Sequence, residues 1–127
     1  MKAKPKQEQD PKIWEIMGLK LTLDATDLDT AERLDTAFEK MGAAEKEIPK
    51  DGRYADIIRG YLHMYEVLFR EIFPEDADRL LAALPKSTDA YDEVYVSLLE
   101  FIAAQRAASV QRRIERLSKY RPAGRKK

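Results

Sequence analysis

Leucines alternate with polar residues near the start of the chain. Leu19, Leu21 and Leu23 keep a two-residue period, which is typical of a strand with one buried face. Gly18 precedes them and can take the positive φ of a tight turn. A strand before Gly18 would complete a two-stranded hairpin, which is marginally stable by itself. We therefore expect the leucine face of a short N-terminal hairpin to rest on helices.

After the hairpin, apolar residues recur at intervals of three and four, the period of an amphipathic helix. The segment Asp29-Thr-Ala-Glu32 has the form of a capping box, so we predict that a first helix begins there. This helix is expected to end near Gly42 or Pro49. Its apolar stripe consists of Leu34, Phe38 and Met41.

A longer periodic stretch begins near residue 51 and predicts a second helix that ends at Pro74. Its stripe is formed by Tyr54, Ile57, Ile58, Tyr61, Leu62, Tyr65, Leu68, Phe69 and Ile72. The three tyrosines could stack on bases, but the surroundings are acidic and such platforms need basic residues. We therefore predict that the tyrosines pack in the core. A short third helix over residues 75–84 carries Leu80, Leu81 and Leu84.

The last helix is predicted to be the longest. Ser87 or Thr88 can cap its first turn, and no glycine or proline interrupts the chain before Pro122. The helix can therefore run for about 30 residues, or ~45 Å. A compact domain of this size has a diameter of only ~36 Å. The helix should thus extend beyond the body that covers it.

The overhanging turns of this helix carry apolar side chains. Tyr91, Val94, Tyr95, Leu98 and Ile102 can pack in the core. Val110, Arg113, Ile114 and Leu117 lie farther along, and we predict that they bind a partner. The hairpin, another copy of the chain or a different protein could cover them. Burial of each apolar side chain would contribute about 1.5–3 kcal/mol before entropy is counted.

These elements predict a mainly α fold, with an N-terminal β-hairpin followed by a bundle of about four helices and a long C-terminal helix. We divide the chain into a flexible leader over residues 1–12, a single helical domain over 13–119 and a basic flexible tail over 120–127. No uncharged stretch approaches the ~20 residues that cross a bilayer. We expect the protein to stay in the cytoplasm.

The net charge of zero is the sum of unlike parts. Residues 13–104 carry 10 basic and 20 acidic side chains, whereas residues 105–127 carry nine basic side chains and one acidic one. The basic residues are Arg106, Arg112, Arg113, Arg116, Lys119, Arg121, Arg125, Lys126 and Lys127. They could solvate the helix end, complement its dipole, dock on an acidic protein surface or contact phosphates. Tyr120 is the one aromatic residue among them, which weighs against nucleic acid.

The sequence predicts no catalytic, metal or cofactor site. Cysteine is absent, and the single histidine, His63, falls on the polar face of the second helix without a partner group. The acidic clusters near Asp24, Glu75 and Asp89 lie at helix starts, where the dipole favours carboxylates. The glycines are too scattered for a phosphate-binding loop. We expect a non-enzymatic protein without a cofactor.

The order of the segments resembles that of short helical proteins encoded in tail-assembly regions of bacterial prophages. The stretch Leu21-Thr-Leu-Asp-Ala-Thr-Asp-Leu-Asp-Thr-Ala-Glu-Arg33 is similar to their hairpin and acidic helix start. Phe69-Arg-Glu-Ile-Phe-Pro-Glu-Asp-Ala77 resembles their segment Phe-x-Glu-Ile-Phe-Gly-Glu, with Pro74 in place of glycine. Lys119-Tyr-Arg-Pro122 resembles their closing Lys-Tyr-x-Pro.

The resemblance implies a tail assembly chaperone, which keeps tape-measure or tube proteins soluble until the phage tail is built. It implies phage tail proteins as partners and the cytoplasm of a bacterial host cell as the location, with the virion as an alternative. We expect the chaperone to be a homo-oligomer. Two alternatives remain open at this point. One is a structural component of the phage particle, and the other is a nucleic-acid-binding accessory protein that acts through the basic C-terminal segment.

Overall fold

The computed structural model describes residues 10–120, which form two strands followed by four helices. The elements are β1 (Ile13–Ile16), β2 (Leu19–Thr22), α1 (Leu28–Glu45), α2 (Tyr54–Ile72), α3 (Ala77–Ala83) and α4 (Thr88–Ser118). The predicted fold class is confirmed, including the N-terminal hairpin and the long last helix. Most of the predicted leader, residues 1–9, and residues 121–127 of the predicted tail lie outside the described residues.

The hairpin closes through a two-residue turn. β1 and β2 are antiparallel, with Ile16 opposite Leu19. Met17 and Gly18 between them both have positive φ, at 53° and 77°, as the tightest hairpin turns require. Leu21 is fully buried, so the leucine face packs against the helices as the alternation predicts.

A tryptophan anchors the hairpin to the helices. Trp14 lies opposite Leu21 in the hairpin register and is almost fully buried. Its ring stacks on Phe73 with 5.7 Å between centroids, and its indole N–H donates to Ser97 Oγ over 3.0 Å. The hydrogen bond satisfies the one polar atom of a large apolar side chain. The hairpin is therefore fixed to the first half of α4.

The start of α1 differs from the prediction. The N-cap is Asp27, whose side chain accepts a hydrogen bond from the backbone N–H of Thr30. The predicted capping box at Asp29 is wrong, because Asp29 already lies in the first turn. The helix ends at Glu45, so Gly42 lies inside it instead of terminating it.

The tyrosines of α2 have different environments. Tyr65 is buried, as predicted, but Tyr54 and Tyr61 are 73% and 42% exposed. The prediction of core packing is wrong for these two. The first turns of α2 lie beside the beginning of α4, at Thr88 and Asp92, and together they line an open groove instead of a core.

The core lies between the hairpin and the helices. α3 buries Leu80 and Leu81, and its C-cap residue, Leu84, is buried as well. α4 contributes Tyr91, Val94, Leu98 and Ile102. The remaining apolar core is formed by Trp14, Leu21, Leu23, Ala25, Leu34, Ala37, Leu62, Met64, Tyr65, Leu68, Phe69, Ile72 and Phe73.

Candidate protein-binding surface on the C-terminal helix

The first half of α4 is held by the body. Ser87 is its N-cap, and the serine hydroxyl accepts a hydrogen bond of 3.1 Å from Ala90 N. This confirms one of the two predicted capping residues. Leu98 is fully buried, and Ile102 is the last buried residue of the helix. The helix is thus tied to the core over its first four turns.

A glutamine holds α4 where it leaves the body. The amide nitrogen of Gln105 donates to the backbone oxygens of Leu23 at 2.7 Å and Pro11 at 2.8 Å. The side-chain oxygen of Gln105 accepts from Ala25 N at 2.8 Å. Arg106 adds a hydrogen bond of 3.0 Å from Nε to the oxygen of Ala25. We call these contacts the Gln105 clamp.

The clamp was not predicted from the sequence, which counted Gln105 and Arg106 only as part of the basic C-terminal segment, residues 105–127. Gln105 follows Leu98 and Ile102 at intervals of four and three residues and so lies on the same face of the helix. This position is the one feature of the sequence that could have indicated a contact of Gln105 with the body. Pro11 and Lys12, which the sequence places in a flexible leader, are joined to the body. Pro11 O accepts from Gln105, and Lys12 O accepts from Leu23 N at 2.8 Å.

Beyond the clamp the helix is exposed. Val110, Ile114 and Leu117 are 57%, 56% and 49% exposed, and residues 110–120 have no buried or half-buried member. The hairpin lies earlier on α4, beside Ser97 and Phe101. The hairpin therefore does not cover Val110, Ile114 and Leu117. Of the three candidates named from the sequence, a second copy of the chain and a different protein remain.

The exposed apolar stripe also continues backward over the body. Val96 and Leu99 are exposed large apolar residues, and Ala103 and Ala107 are exposed between them and the overhang. From residue 96 to residue 117 the intervals are 3, 4, 4, 3, 4 and 3, close to the 3.5-residue period of a coiled-coil seam. We call the set Val96, Leu99, Ala103, Ala107, Val110, Ile114 and Leu117 the α4 stripe.

Charge changes sign along α4. Residues 89–100 carry Asp89, Asp92, Glu93 and Glu100 without a basic residue. Residues 112–120 carry Arg112, Arg113, Arg116 and Lys119 against one acid, Glu115. The basic end coincides with the negative end of the helix dipole. The α4 stripe therefore runs from an acidic to a basic environment.

The basic side chains between Arg106 and Tyr120 are exposed. Within residues 10–120, Arg112, Arg113, Arg116 and Lys119 take part in no salt bridge. Arg112 does exert a weak electrostatic effect on Asp24. Hydrogen bonds from Thr26 are the main cause that lowers the pKa of Asp24, and the charges of Lys12 and Arg112 add to them.

A second exposed surface is the groove between α2 and α4. Tyr54, Ile57, Ile58 and Tyr61 line it from α2, and its volume is about 280 Å³. Asp92, which lines the groove from α4, accepts a hydrogen bond of 2.6 Å from the hydroxyl of Tyr65. Burial and this hydrogen bond raise the pKa of Tyr65 well above its usual value. The groove is short, whereas the α4 stripe spans six helical turns.

The other sequence candidates occupy structural positions. His63 is exposed, as predicted. Asp76 and Asp78 pair with Arg79 and Arg70 at 2.9 and 2.7 Å. Over residues 10–120, no group of three His, Asp or Glu side chains is arranged to hold a metal ion. In the same part of the chain, no helix is long and apolar enough to span a bilayer.

Residues 17–127 match the model of a family of unknown function, DUF6673. The match covers most of the chain, so the protein belongs to this family. A search of curated proteins and a search of solved structures each found no match. The α4 stripe lies inside the matched region, and so do all members of the Gln105 clamp except Pro11.

Proposed function

We propose that this DUF6673 member is a non-enzymatic assembly chaperone of phage tails, which holds a helical tail protein in solution through the overhang of α4. The observation that supports the proposal is the exposure of Val110, Ile114 and Leu117 beyond the Gln105 clamp. Apolar side chains on one helical face are suited to a partner helix that offers a stripe of its own.

The class of client follows from the resemblance to prophage tail-assembly proteins. A tape-measure protein is a long helical chain with exposed apolar stripes, and it needs cover until the tail forms. Arg113 lies beside Ile114 on the overhang, and its charge would help to keep such a complex soluble. A tube protein with an unfinished apolar surface is the second client of the same class.

Co-expression tests the proposal directly. The full chain is produced together with a tape-measure or tube protein, and the soluble fraction of the client is measured. We expect the client to stay soluble with the natural chain and to aggregate with the Ile114→Asp, Leu117→Asp double variant. Ala108→Asp is the control, because it adds a carboxylate at an exposed position of α4 that lies about 120° around the helix from Ile114. Equal client solubility with the double variant and the natural chain would refute the proposal.

A second candidate function is supported by the basic side chains near the end of α4, which form no salt bridge within residues 10–120. Arg112, Arg116 and Lys119 are exposed and could contact phosphates of a nucleic acid. Binding of duplex DNA with a steep dependence on salt, by a protein that fails to keep clients soluble, would favour this function. Recovery of the protein from finished particles would favour a structural component, because a chaperone leaves before assembly is complete.

A further inference from the structure

The α4 stripe has the same spacing from both ends. Its outer members are Val96, Leu99 and Ala103 on one side and Leu117, Ile114 and Val110 on the other. From each end the intervals inward are three and then four residues, and the midpoint lies between residues 106 and 107. A stripe with this symmetry is complementary to an antiparallel copy of itself.

We infer that the α4 stripe pairs with the α4 stripe of a second copy of this chain, antiparallel and around a two-fold axis near Ala107. In this arrangement Val96 lies level with Leu117 of the second copy, and Leu99 lies level with Ile114. The small side chain of Ala107 at the centre favours the short end of the ~8–10 Å range of distances between packed helices.

The stripe is accessible to a second copy along its length. Leu98 and Ile102 are buried in the body, whereas Leu99 and Ala103 next to them are exposed. The stripe therefore lies on the side of α4 that faces away from its own core. The 22 residues from Val96 to Leu117 extend ~33 Å, so a pair in this register has contact over six turns.

Charge selects the antiparallel arrangement over the parallel one. Residues 89–100 carry four acidic side chains, and residues 112–120 carry four basic ones with a single acid. Antiparallel pairing brings the acidic end of each helix alongside the basic end of the other, and it opposes the two helix dipoles. Parallel pairing would bring acid to acid and base to base.

Pairing has a consequence for the chaperone, and this step rests on the proposed function. The second copy covers the same side chains that a client helix would contact, so the two compete for one surface. A paired chaperone keeps its own stripe out of water until a client replaces the second copy. The pairing itself does not depend on the identity of any client.

The mass of the purified full-length protein is the first test. We expect twice 14.6 kDa by light scattering or sedimentation at roughly 0.1 mM, where a micromolar interaction is largely formed. Ile114→Asp should raise the dissociation constant at least about tenfold, because a two-fold interface contains every substitution twice. Ala108→Asp should leave it unchanged. A natural chain that stays monomeric at this concentration would overturn the inference.

Single cysteines test the orientation, because the chain has no cysteine of its own. Ala107→Cys should be linked to itself by a short bismaleimide. Ile114→Cys should not, because the two copies of residue 114 are separated by 15 residues, or ~22 Å, along the pair. A mixture of Ile114→Cys and Leu99→Cys should give the linked dimer. Efficient linkage of Ile114→Cys to itself would indicate parallel helices and overturn the inference.

The outcomes separate this inference from the proposed function. A monomeric protein that keeps tail proteins soluble would overturn the inference and leave the proposed function in place. An antiparallel dimer that keeps no client soluble would support the inference and count against the chaperone.

Discussion

The side-chain oxygen of Gln105 accepts a hydrogen bond of 2.8 Å from the backbone N–H of Ala25. The amide nitrogen of the same side chain donates to Leu23 O, just after β2, and to Pro11 O, just before β1. One glutamine on α4 therefore holds both ends of the hairpin. Its position also divides α4 into a part bound to the core and an exposed part.

Gln105→Ala should lower the free energy of unfolding by about 2–3 kcal/mol, because part-buried backbone groups of Leu23 and Ala25 lose their partners. Gln111→Ala is the control, since Gln111 makes only an exposed hydrogen bond of 3.2 Å to Glu115. Its effect should stay within about 0.5 kcal/mol. Urea unfolding followed by circular dichroism measures both. Similar effects of the two variants would contradict a structural role of the clamp.

Tyr65→Phe should destabilise the protein by about 1–2 kcal/mol, because it removes the hydrogen bond of 2.6 Å to Asp92. The ring of Tyr65 is buried among aromatic neighbours and is retained in the variant. Tyr54→Phe removes an exposed hydroxyl from the same helix and should change stability by less than about 0.5 kcal/mol. Urea midpoints of the two variants decide whether the Tyr65 hydroxyl stabilises the α2–α4 contact.

Stability should fall in alkaline solution. Burial, with a hydrogen bond to Asp92, raises the pKa of Tyr65, and burial also raises the pKa values of Tyr91 and Tyr95. In the unfolded chain, tyrosines titrate at about pH 10. Since the folded chain holds these protons more tightly, their contribution is complete below that pH and is lost as pH rises toward the folded pKa values. Urea midpoints should therefore decrease above about pH 10, and less steeply in Tyr65→Phe. An equal decrease in that variant would assign the effect to other groups.

The parts of the fold that the sequence predicts are those that depend on local chemistry. The alternation of Leu19, Leu21 and Leu23 predicts which face of the strand is buried, and this prediction does not require knowledge of the element that packs against it. Pro74 ends α2 because it cannot continue a helix, and Ser87 caps α4 through its own hydroxyl. The length of α4 follows from the absence of glycine and proline over its whole span.

The parts that the sequence does not predict depend on distant partners. Tyr61 and Tyr65 belong to the same apolar stripe of α2, but Tyr65 is buried against Tyr91 and Tyr95 of α4 whereas Tyr61 is exposed. Gln105 binds backbone groups about 80 residues away, and nothing in its neighbourhood signals that contact. Asp27 and Asp29 both have a side chain that can cap a helix. The backbone is extended at Asp27, so the helix begins after Asp27 and this residue is the N-cap.

Gly42→Ala should raise the free energy of unfolding by about 0.5–1 kcal/mol, because glycine inside a helix costs conformational entropy. A Cβ at Gly42 meets no atom within 4 Å, so the gain is not offset by a clash. Gly18→Ala is the opposite case. A Cβ at Gly18 also meets no atom within 4 Å, but the backbone φ there is +77°. Alanine in this conformation should lower the free energy of unfolding by about 1–2 kcal/mol. Thermal unfolding of the two variants should move in opposite directions, and a loss of stability in Gly42→Ala would contradict the prediction.

Ile114→Asp combined with Leu117→Asp should leave the body folded. Both side chains are exposed beyond the Gln105 clamp, so the main cost is a carboxylate near the negative end of the helix dipole, in total about 1 kcal/mol or less. Leu98→Ala, in the buried half of α4, should cost about 2–5 kcal/mol. The comparison is made by urea unfolding of dilute protein, so that self-association does not add to stability. Cooperative unfolding of the double variant near the natural midpoint would assign any loss of client solubility to binding, whereas an unfolded double variant would place Ile114 and Leu117 in the core.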